Sequence, residues 1–377
     1  MADSRAAPRP SVTLTRSPLH DAHVALGART AAFGGWEMPL EYAGGGVLKE
    51  HAAVREAVGV FDVSHLGKVV VRGSGAGAYV NACLSADLGR ITPGHAQYTL
   101  ACDDASGGVV DDLIAYLLAD DEVFCVPNAA NAAEVARRLA AAAPAGIEVV
   151  DEHRAYAVLA VQGPRSDDVL AAVGLPSGHD YMSFRVACFD GHRVVACRTG
   201  YTGERGYELV VPALGARPVW DAVLAAGEPL GIRPCGLAAR DTLRTEMGYP
   251  LHGQDISLDV TPVQARLGWA VGWDKPEFWG RGVLLAEREA GRARTLHGLV
   301  ATGRGIARPG MQVLAGDEVV GAVTSGTFSP TLRRAVALAL VHPHLAVGDE
   351  VAVDVRGRRE AFTVTRPPFV PSHVRSD

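Results

Sequence analysis

The segment Val109-Val110-Asp111-Asp112-Leu113-Ile114 sets two adjacent carboxylates inside an apolar run. Successive strand side chains face opposite ways, so at most one of the two faces water easily. The other must point inward and be hydrogen-bonded or functional, because an unpaired buried carboxylate is costly. A catalytic carboxylate fits that pattern, and so does one that caps a neighbouring turn. Tyr98 and Asn128 flank the same hairpin in sequence and can supply neutral polar partners. A second cluster is Gly200-Tyr201-Thr202-Gly203-Glu204-Arg205-Gly206-Tyr207-Glu208. Its glycines let the backbone turn tightly and approach a flat ligand. A carboxylate at Glu208 can accept two charge-assisted hydrogen bonds from an N–H/NH₂ edge. The plainer role for Glu208 is a cross-strand ion pair, worth little if exposed. Glu204 and Arg205, at the tip of the run, are expected to be solvated.

Arg240 and Arg244 stand four apart on a helical stretch and so share a face. Like charges at that spacing repel unless Asp241, Glu246 or a ligand matches them. His65, in Phe61-Asp-Val-Ser-His65, is a further candidate, though a lone histidine in a polar turn is more often structural. No Ser/His/Asp set stands out, and His342 and His344 flank Pro343 without a third metal ligand. The run Gly73-Ser-Gly75-Ala-Gly77-Ala78 fits a dinucleotide loop, G-x-G-x-x-A. No acid lies about 20 residues on, and Pro93-Gly94 interrupts the required β-α-β unit, so a plain turn is the better reading.

The elements that position these groups follow from periodicity and turn chemistry. A helix is expected over 49–58 and strand-like segments over 61–71. A hairpin joins Val109–Leu118 to Glu122–Val126 through Asp120-Asp121. Asn131 with Glu134 reads as a capping-box variant before an Ala-rich helix that ends near Ala143. A strand over 155–161 precedes a helix over 166–173, and strands over 193–199 and 207–211 flank the glycine run. The helix over 236–247 stops at Gly248, with Pro250 beyond. After about Trp279 short strands dominate, at 296–301, 319–324, 336–341, 351–355 and 362–365, which suggests a compact β barrel or sandwich. The stretch 277–291 reads as the linker before it.

The whole chain bounds the possibilities. Its 377 residues suggest two or three domains at about 150 residues each. With 36 basic and 42 acidic residues the net charge is -6, which disfavours a uniformly basic nucleic-acid binder. Six scattered cysteines without a C-x-x-C pair suggest reduced thiols rather than a zinc ribbon or disulfide scaffold. No apolar window is long enough to predict a membrane span. The first 16 residues lack the apolar core of a signal peptide and read as a disordered leader, with a transit peptide as the alternative. A cytoplasmic location is expected.

Seven segments, in order, resemble one family, the aminomethyltransferase (T-protein) of the glycine cleavage system. They are Ser17-Pro-Leu-His-Asp21, Phe33-Gly-Gly-Trp-Glu-Met-Pro39, Phe61-Asp-Val-Ser-His65 and Gly107-Gly-Val-Val-Asp-Asp-Leu-Ile114. Further on stand Thr199-Gly-Tyr-Thr-Gly-Glu204, Pro234-Cys-Gly-Leu-Ala-Ala-Arg-Asp-Thr-Leu-Arg244 and Thr324-Ser-Gly-Thr-Phe-Ser-Pro-Thr-Leu332. The likeness runs from about Ser17 to Pro371. It implies an α+β, multi-domain, cloverleaf-like arrangement around a folate channel: two intertwined subdomains over 17–285, then an all-β, barrel or jelly-roll-like domain over 292–372. It implies tetrahydrofolate as co-substrate, no metal, and lipoylated H-protein as partner, with no role for nucleic acid or membrane. The methylene of the aminomethyl group passes to folate, giving 5,10-methylenetetrahydrofolate and ammonia. The family's catalytic aspartate falls on Asp112, its pterin-anchoring glutamate on Glu208 and its ligand-contacting arginine on Arg240. Tyr98, Asn128 and Tyr201 fall on positions that look folate-lining.

Two departures stand out. Leu66 replaces a methionine common after Ser-His, and a tyrosine that some members carry near the C-terminus is replaced around His373-Val374, so no C-terminal ligand contact is assigned. Alternatives are a non-catalytic folate-binding protein and the folate module of dimethylglycine or sarcosine oxidoreductases. The latter is usually fused to a flavin domain, for which this length is expected to leave no room. The K-G-C-Y-x-G-Q type motif of related iron–sulfur assembly proteins is absent.

Overall fold

The computed structural model describes residues 13–375 and builds them into three open sheets and one closed barrel. Thr15–Arg16 pairs in parallel with the start of Trp36–Tyr42, which also pairs with Ala28–Phe33. The expected leader is thus in a strand at Thr15–Arg16; its residues 1–12 lie outside the described ones.

Two larger sheets carry the candidate residues. One has five antiparallel strands in the order His95–Cys102, Val109–Ala119, Glu122–Val126, Val69–Arg72 and Glu148–Asp151. The other has six, in the order Phe184–Phe189, His192–Cys197, Gly206–Pro212, Tyr156–Gln162, Gly59–Asp62 and Arg233–Pro234. Alternation gives each sheet two apolar faces. On the six-stranded sheet, Leu159, Val161, Leu209 and Val211 pack outward under the helices Ser166–Ala172 and Ala216–Gly227, around Trp220. Their neighbours Val158, Ala160 and Val210 face the other way and join Val70, Tyr116 and Phe124 of the five-stranded sheet in one core. Ala239 and Leu243, on the helix Leu237–Met247, close that core at one side. The outer face of the five-stranded sheet is covered by Ala76–Cys83 and Ala132–Ala142.

The last domain is a closed antiparallel barrel, ordered Thr295–Ala301, Arg334–Val341, Glu318–Ser329, Gln312–Ala315, Glu350–Val355 and Arg358–Thr365. Closure removes the open edges that such short strands would otherwise expose. Five of its strands match the turn-punctuated pattern; the four-residue Gln312–Ala315 is an addition. Two local expectations are corrected. The stretch read as a linker contains a helix, Arg281–Ala290, anchored by the fully buried Leu284. Gly73–Ala78 opens another helix, with Gly75 in the left-handed conformation, and its flanking strand Val69–Arg72 has only antiparallel neighbours, unlike a dinucleotide fold.

Candidate active site

Asp112 shares its strand face with Ile114 and Tyr116, the face turned toward the second sheet. Glu208 alternates with the outward Leu209 and so lies on the same side as Val210, facing back across the interface. Side chains join the two sheets: Tyr116 Oη lies 3.1 Å from Thr199 Oγ1, and Thr199 donates to Glu208 Oε2 at 2.6 Å. Glu208 is only 8% exposed and is paired with a hydroxyl, not with the cross-strand cation of the plainer reading. Among the described residues no hydrogen bond reaches its second carboxylate oxygen, which remains for another donor.

The paired aspartates differ in environment. Asp111 is fully buried; its carboxylate accepts from the Asn128 N–H and side-chain amide, both at 2.9 Å, and from Asn131 Nδ2 at 2.6 Å. Asp112 is half-buried, accepting from Tyr98 Oη at 3.0 Å and Asn128 Nδ2 at 2.8 Å. Burial raises both carboxyls above their ordinary range. For Asp111 the neighbouring charge of Asp112 adds to the rise, while for Asp112 the Tyr98 hydrogen bond opposes it. Asn131 therefore does not form the expected capping box: no side-chain hydrogen bond caps its helix, and Glu134 pairs with Arg137 and Arg138. The Asn131 amide also reaches His252 Nδ1 at 3.0 Å, while His252 Nε2 lies 3.0 Å from Val109 O. Sequence reasoning missed Asn131 and His252 as neighbours of the pair.

Arg240 and Arg244 separate by partner. Arg244 donates to Asp241 and Asp255, at 2.8 and 2.9 Å, and to Ser325 of the barrel. Arg240 stands with its guanidinium 4.8 Å from the Tyr201 ring centre, and its buried Nη1 has no partner among the described residues. Glu208 and Tyr201 are the nearby groups that favour its charge against burial. A buried guanidinium N–H without an acceptor is an incomplete site. Tyr201 turns its hydroxyl to Pro250 O at 2.5 Å, leaving its ring to the cation. His65 is buried in a T-shaped contact with Phe33, and its Nδ1 is also unpartnered among the described residues.

The tip of the glycine run is not solvated as expected. Glu204 is buried between Arg55 and His373, both at 2.9 Å, and Arg205 pairs with Asp167 at 2.7 Å. Gly203 is left-handed, and a β-carbon there would collide with the Met247 side chain, so this turn favours glycine. Trp269, 70% exposed, stacks on Tyr98, the donor to Asp112, with ring centres 5.3 Å apart. A groove of about 540 Å³ leads away from Tyr201 and Arg240 between apolar walls that include Phe33, Leu48, Leu237 and Phe328. Among the described residues no group of three or more His, Cys, Asp or Glu side chains could hold a metal ion, and all six cysteines are free. No helix among them is long and apolar enough to cross a membrane.

An α+β scaffold that sets the buried carboxylate of Glu208 and the ring of Tyr201 beside an arginine with an unpartnered, buried N–H forms a ligand-binding site, and comparison with known proteins makes its class specific. Residues 19–275 match the model of the GCVT N-terminal domain, and residues 294–371 match the glycine cleavage T-protein C-terminal barrel domain. An aminomethyltransferase from Parafrankia sp. (strain EAN1pec) is 64% identical over 363 residues, covering 96% of this chain and 99% of the relative. One from Mycobacterium bovis is 58% identical over 364 residues, covering 96% and 98%. The solved glycine cleavage system aminomethyltransferase T from Bartonella henselae superimposes with a TM-score of 0.90 at 35% identity, covering 96% of this chain and 99% of that one. The chain belongs to the glycine cleavage T-protein family, and its activity is that of an aminomethyltransferase.

Proposed function

We propose that the site bounded by Glu208, Arg240 and Tyr201, at the side of the core between the two sheets, binds tetrahydrofolate, and that Asp112 promotes transfer of a methylene group to it from an aminomethyl group on lipoylated H-protein. The observation that carries this reading is the Tyr116–Thr199–Glu208 chain, which holds a buried carboxylate within electrostatic reach of the unsatisfied Arg240, with Asp112 held by Tyr98 and Asn128 on the facing sheet. Glu208 would accept from the N3–H and 2-amino group of the pterin, the paired donors that a carboxylate matches. Arg240, backed by Tyr201, would meet an acceptor on the same ligand, and Tyr98 and Asn128 would orient Asp112.

Tetrahydrofolate supplies the nucleophilic nitrogen when bound. Asp112 holds negative charge where the carbon becomes cationic as ammonia departs, and Tyr98 and Asn128 keep that carboxylate fixed during the change. The apolar groove suits an uncharged aliphatic arm that brings the carbon to the inner end at Tyr201. A cytoplasmic location and reduced thiols belong to the same reading.

The test is reconstitution with aminomethyl-loaded H-protein and tetrahydrofolate, scoring ammonia and methylenetetrahydrofolate together. Equimolar appearance of both supports the reading. Folate binding without turnover would leave the non-catalytic folate-binding alternative, and no folate binding would end the proposal.

A further inference from the structure

The turn that follows the helix Leu237–Met247 touches both halves of the site. Tyr201 Oη donates to Pro250 O at 2.5 Å. Arg244 donates to Tyr249 O at 3.2 Å and to Asp255 Oδ2 at 2.9 Å, and that oxygen also accepts from Leu251 N–H at 2.9 Å. The same turn then grips the start of the aspartate strand. Val109 N–H lies 2.9 Å from Ser257 O and 3.1 Å from Val260 O, and His252 Nε2 lies 3.0 Å from Val109 O. His252 thus sits two residues past a contact with Tyr201 and holds a backbone oxygen two residues before Asp111.

Only one arrangement of its ring satisfies these neighbours. Val109 O can only accept, so Nε2 carries the proton and donates. Nδ1 lies 3.0 Å from Asn131 Nδ2, an amide nitrogen that can only donate, so Nδ1 presents its lone pair. The amide is oriented in turn by Asp111, whose Oδ1 accepts from the same Nδ2 at 2.6 Å. Both Asn131 amide hydrogens are therefore used, one on His252 and one on Asp111. From Asp111 the chain of hydrogen bonds continues through Asn128 Nδ2, 2.9 Å from Asp111 Oδ1 and 2.8 Å from Asp112 Oδ1. Asp111 is fully buried, and Asn128, Asn131 and His252 are half-buried. In such a setting a polar group that loses its partner is costly, so a satisfied network fixes orientation.

We propose that His252 and Asn131 are positioning residues for the reaction. A neutral His252, protonated at Nε2, holds the Asn131 amide toward Asp111, and the two fix the Asp112 carboxylate through Asp111 and Asn128. The inference rests on the reading of Asp112 as the group that faces the reacting carbon. Its hydrogen-bond logic is specific. A ring with its proton on Nδ1 would set N–H against N–H. Because one nitrogen of Asn131 serves both neighbours, turning the amide to relieve that clash would withdraw the donor from Asp111 as well.

The test uses the full chain with His252→Phe, His252→Asn and Asn131→Ala, each alone and combined with Asp112→Asn. It reads kcat, the KM for tetrahydrofolate and for H-protein, and the melting temperature. His252→Phe and Asn131→Ala should each lower kcat about tenfold, the scale of one lost positioning hydrogen bond. Folate KM should stay within about twofold of the parent, since the effect belongs to the transition state. His252→Asn, whose Oδ1 can take the place of Nδ1, should restore most of the rate. Combined with Asp112→Asn, none should cause much further loss, because all act through one carboxylate. In the ¹⁵N spectrum of the parent, the His252 signal, identified by its disappearance in His252→Asn, should be that of the neutral Nε2–H tautomer.

Parental kcat in His252→Phe and Asn131→Ala would overturn the proposal. So would an undiminished loss in His252→Asn, full additivity with Asp112→Asn, or a ring protonated at Nδ1. A purely structural role would lower the melting temperature and either spare kcat or move kcat and both KM values together, and that result also counts against it. If His252→Phe does not fold, Asn131→Ala and the parent's tautomer decide. Parental turnover by Asp112→Asn alone would instead remove the reading of Asp112 on which the inference rests.

Discussion

Asp111 and Asp112, neighbours on one strand, share a single donor: Asn128 Nδ2 lies 2.9 Å from Oδ1 of the first and 2.8 Å from Oδ1 of the second. Strand alternation alone would send the two carboxylates apart. Asn128 lies past the last paired residue of its own strand, Val126, so its amide is free to turn across the neighbouring strand. One side chain thereby fixes the buried acid and the half-buried one in a common frame.

From this frame the two amide substitutions should differ. On the proposed reading, Asp112→Asn should keep the pocket in shape but remove the charge assigned to face the reacting carbon. Turnover should fall by about 10²–10⁴, the usual range for a positioned acid–base or electrostatic group, with folate affinity nearly unchanged. Asp111→Asn puts an amide against three N–H donors and should mainly lower stability, by about 1–3 kcal/mol. Steady-state rates and chemical denaturation of both variants check this. More than about a tenth of parental turnover in Asp112→Asn would remove Asp112 from the role.

Glu208→Gln tests the other carboxylate. Thr199 can still donate to the amide oxygen, so the fold should persist, but the free oxygen no longer answers two donors with charge. The expected loss is about 1.5–3 kcal/mol of folate binding, a tenfold to hundredfold or larger fall in affinity by titration. Unchanged binding in a folded variant would count against Glu208 as the anchor.

The parts of the site that were legible in the sequence are those fixed by local pattern. Period-2 alternation set Asp111 and Asp112 on opposite strand faces, the glycine run singled out Glu208 beside it, and four-residue spacing placed Arg240 and Arg244 together. Partners distant in sequence were not legible. Asn131 carries the signature of a helix cap, yet its side chain turns to Asp111 and His252, which a local pattern does not encode. Glu204 lies in a turn composition that reads as solvent-facing, but Arg55 and His373 come from far away to bury it. The helix Arg281–Ala290 was read as a linker because its buried stripe is thin: Leu284 alone is fully buried, amid charged neighbours. Gln312–Ala315 was missed because four residues carry too little alternation to stand out.

That helix sharpens a prediction about the domain boundary. The barrel's first strand starts at Thr295, and the residues Gly291–Arg294 between it and the helix are all exposed. Limited proteolysis should cut there, with Arg292 and Arg294 as trypsin sites, rather than throughout 280–290. Protection of 291–294 with first cleavage elsewhere would show that the boundary lies in another place.

Acid stability provides a check on the buried network that ties the parts together. Glu246, fully buried, accepts from Arg55 at 2.7 Å and from Ser329 and Thr331 of the barrel, at 2.5 and 3.0 Å, with His51 3.4 Å away. Asp62 accepts from Ser17 and Ser64 and meets His23 at 2.8 Å. Burial alone would raise both carboxyls, but these partners outweigh it and hold each at about 2, below ordinary values of 4.5 and 3.8. A carboxyl with a lowered folded-state pKa stabilises the fold in its ionised form. The contribution is complete above about pH 5 and disappears as pH falls from there through about 2. Each group should contribute on the order of 2–3 kcal/mol at neutral pH. The parent chain should therefore lose several kcal/mol between pH 5 and 2.5 in denaturant titrations. Glu246→Gln should be less stable at pH 6 but lose less over the same interval, because its share of the proton linkage is gone. Parallel pH profiles for parent and variant would mean that Glu246 does not enter the folded protein as a carboxylate, and its ion pair with Arg55 and its charge-assisted hydrogen bonds from Ser329 and Thr331 would have to be abandoned.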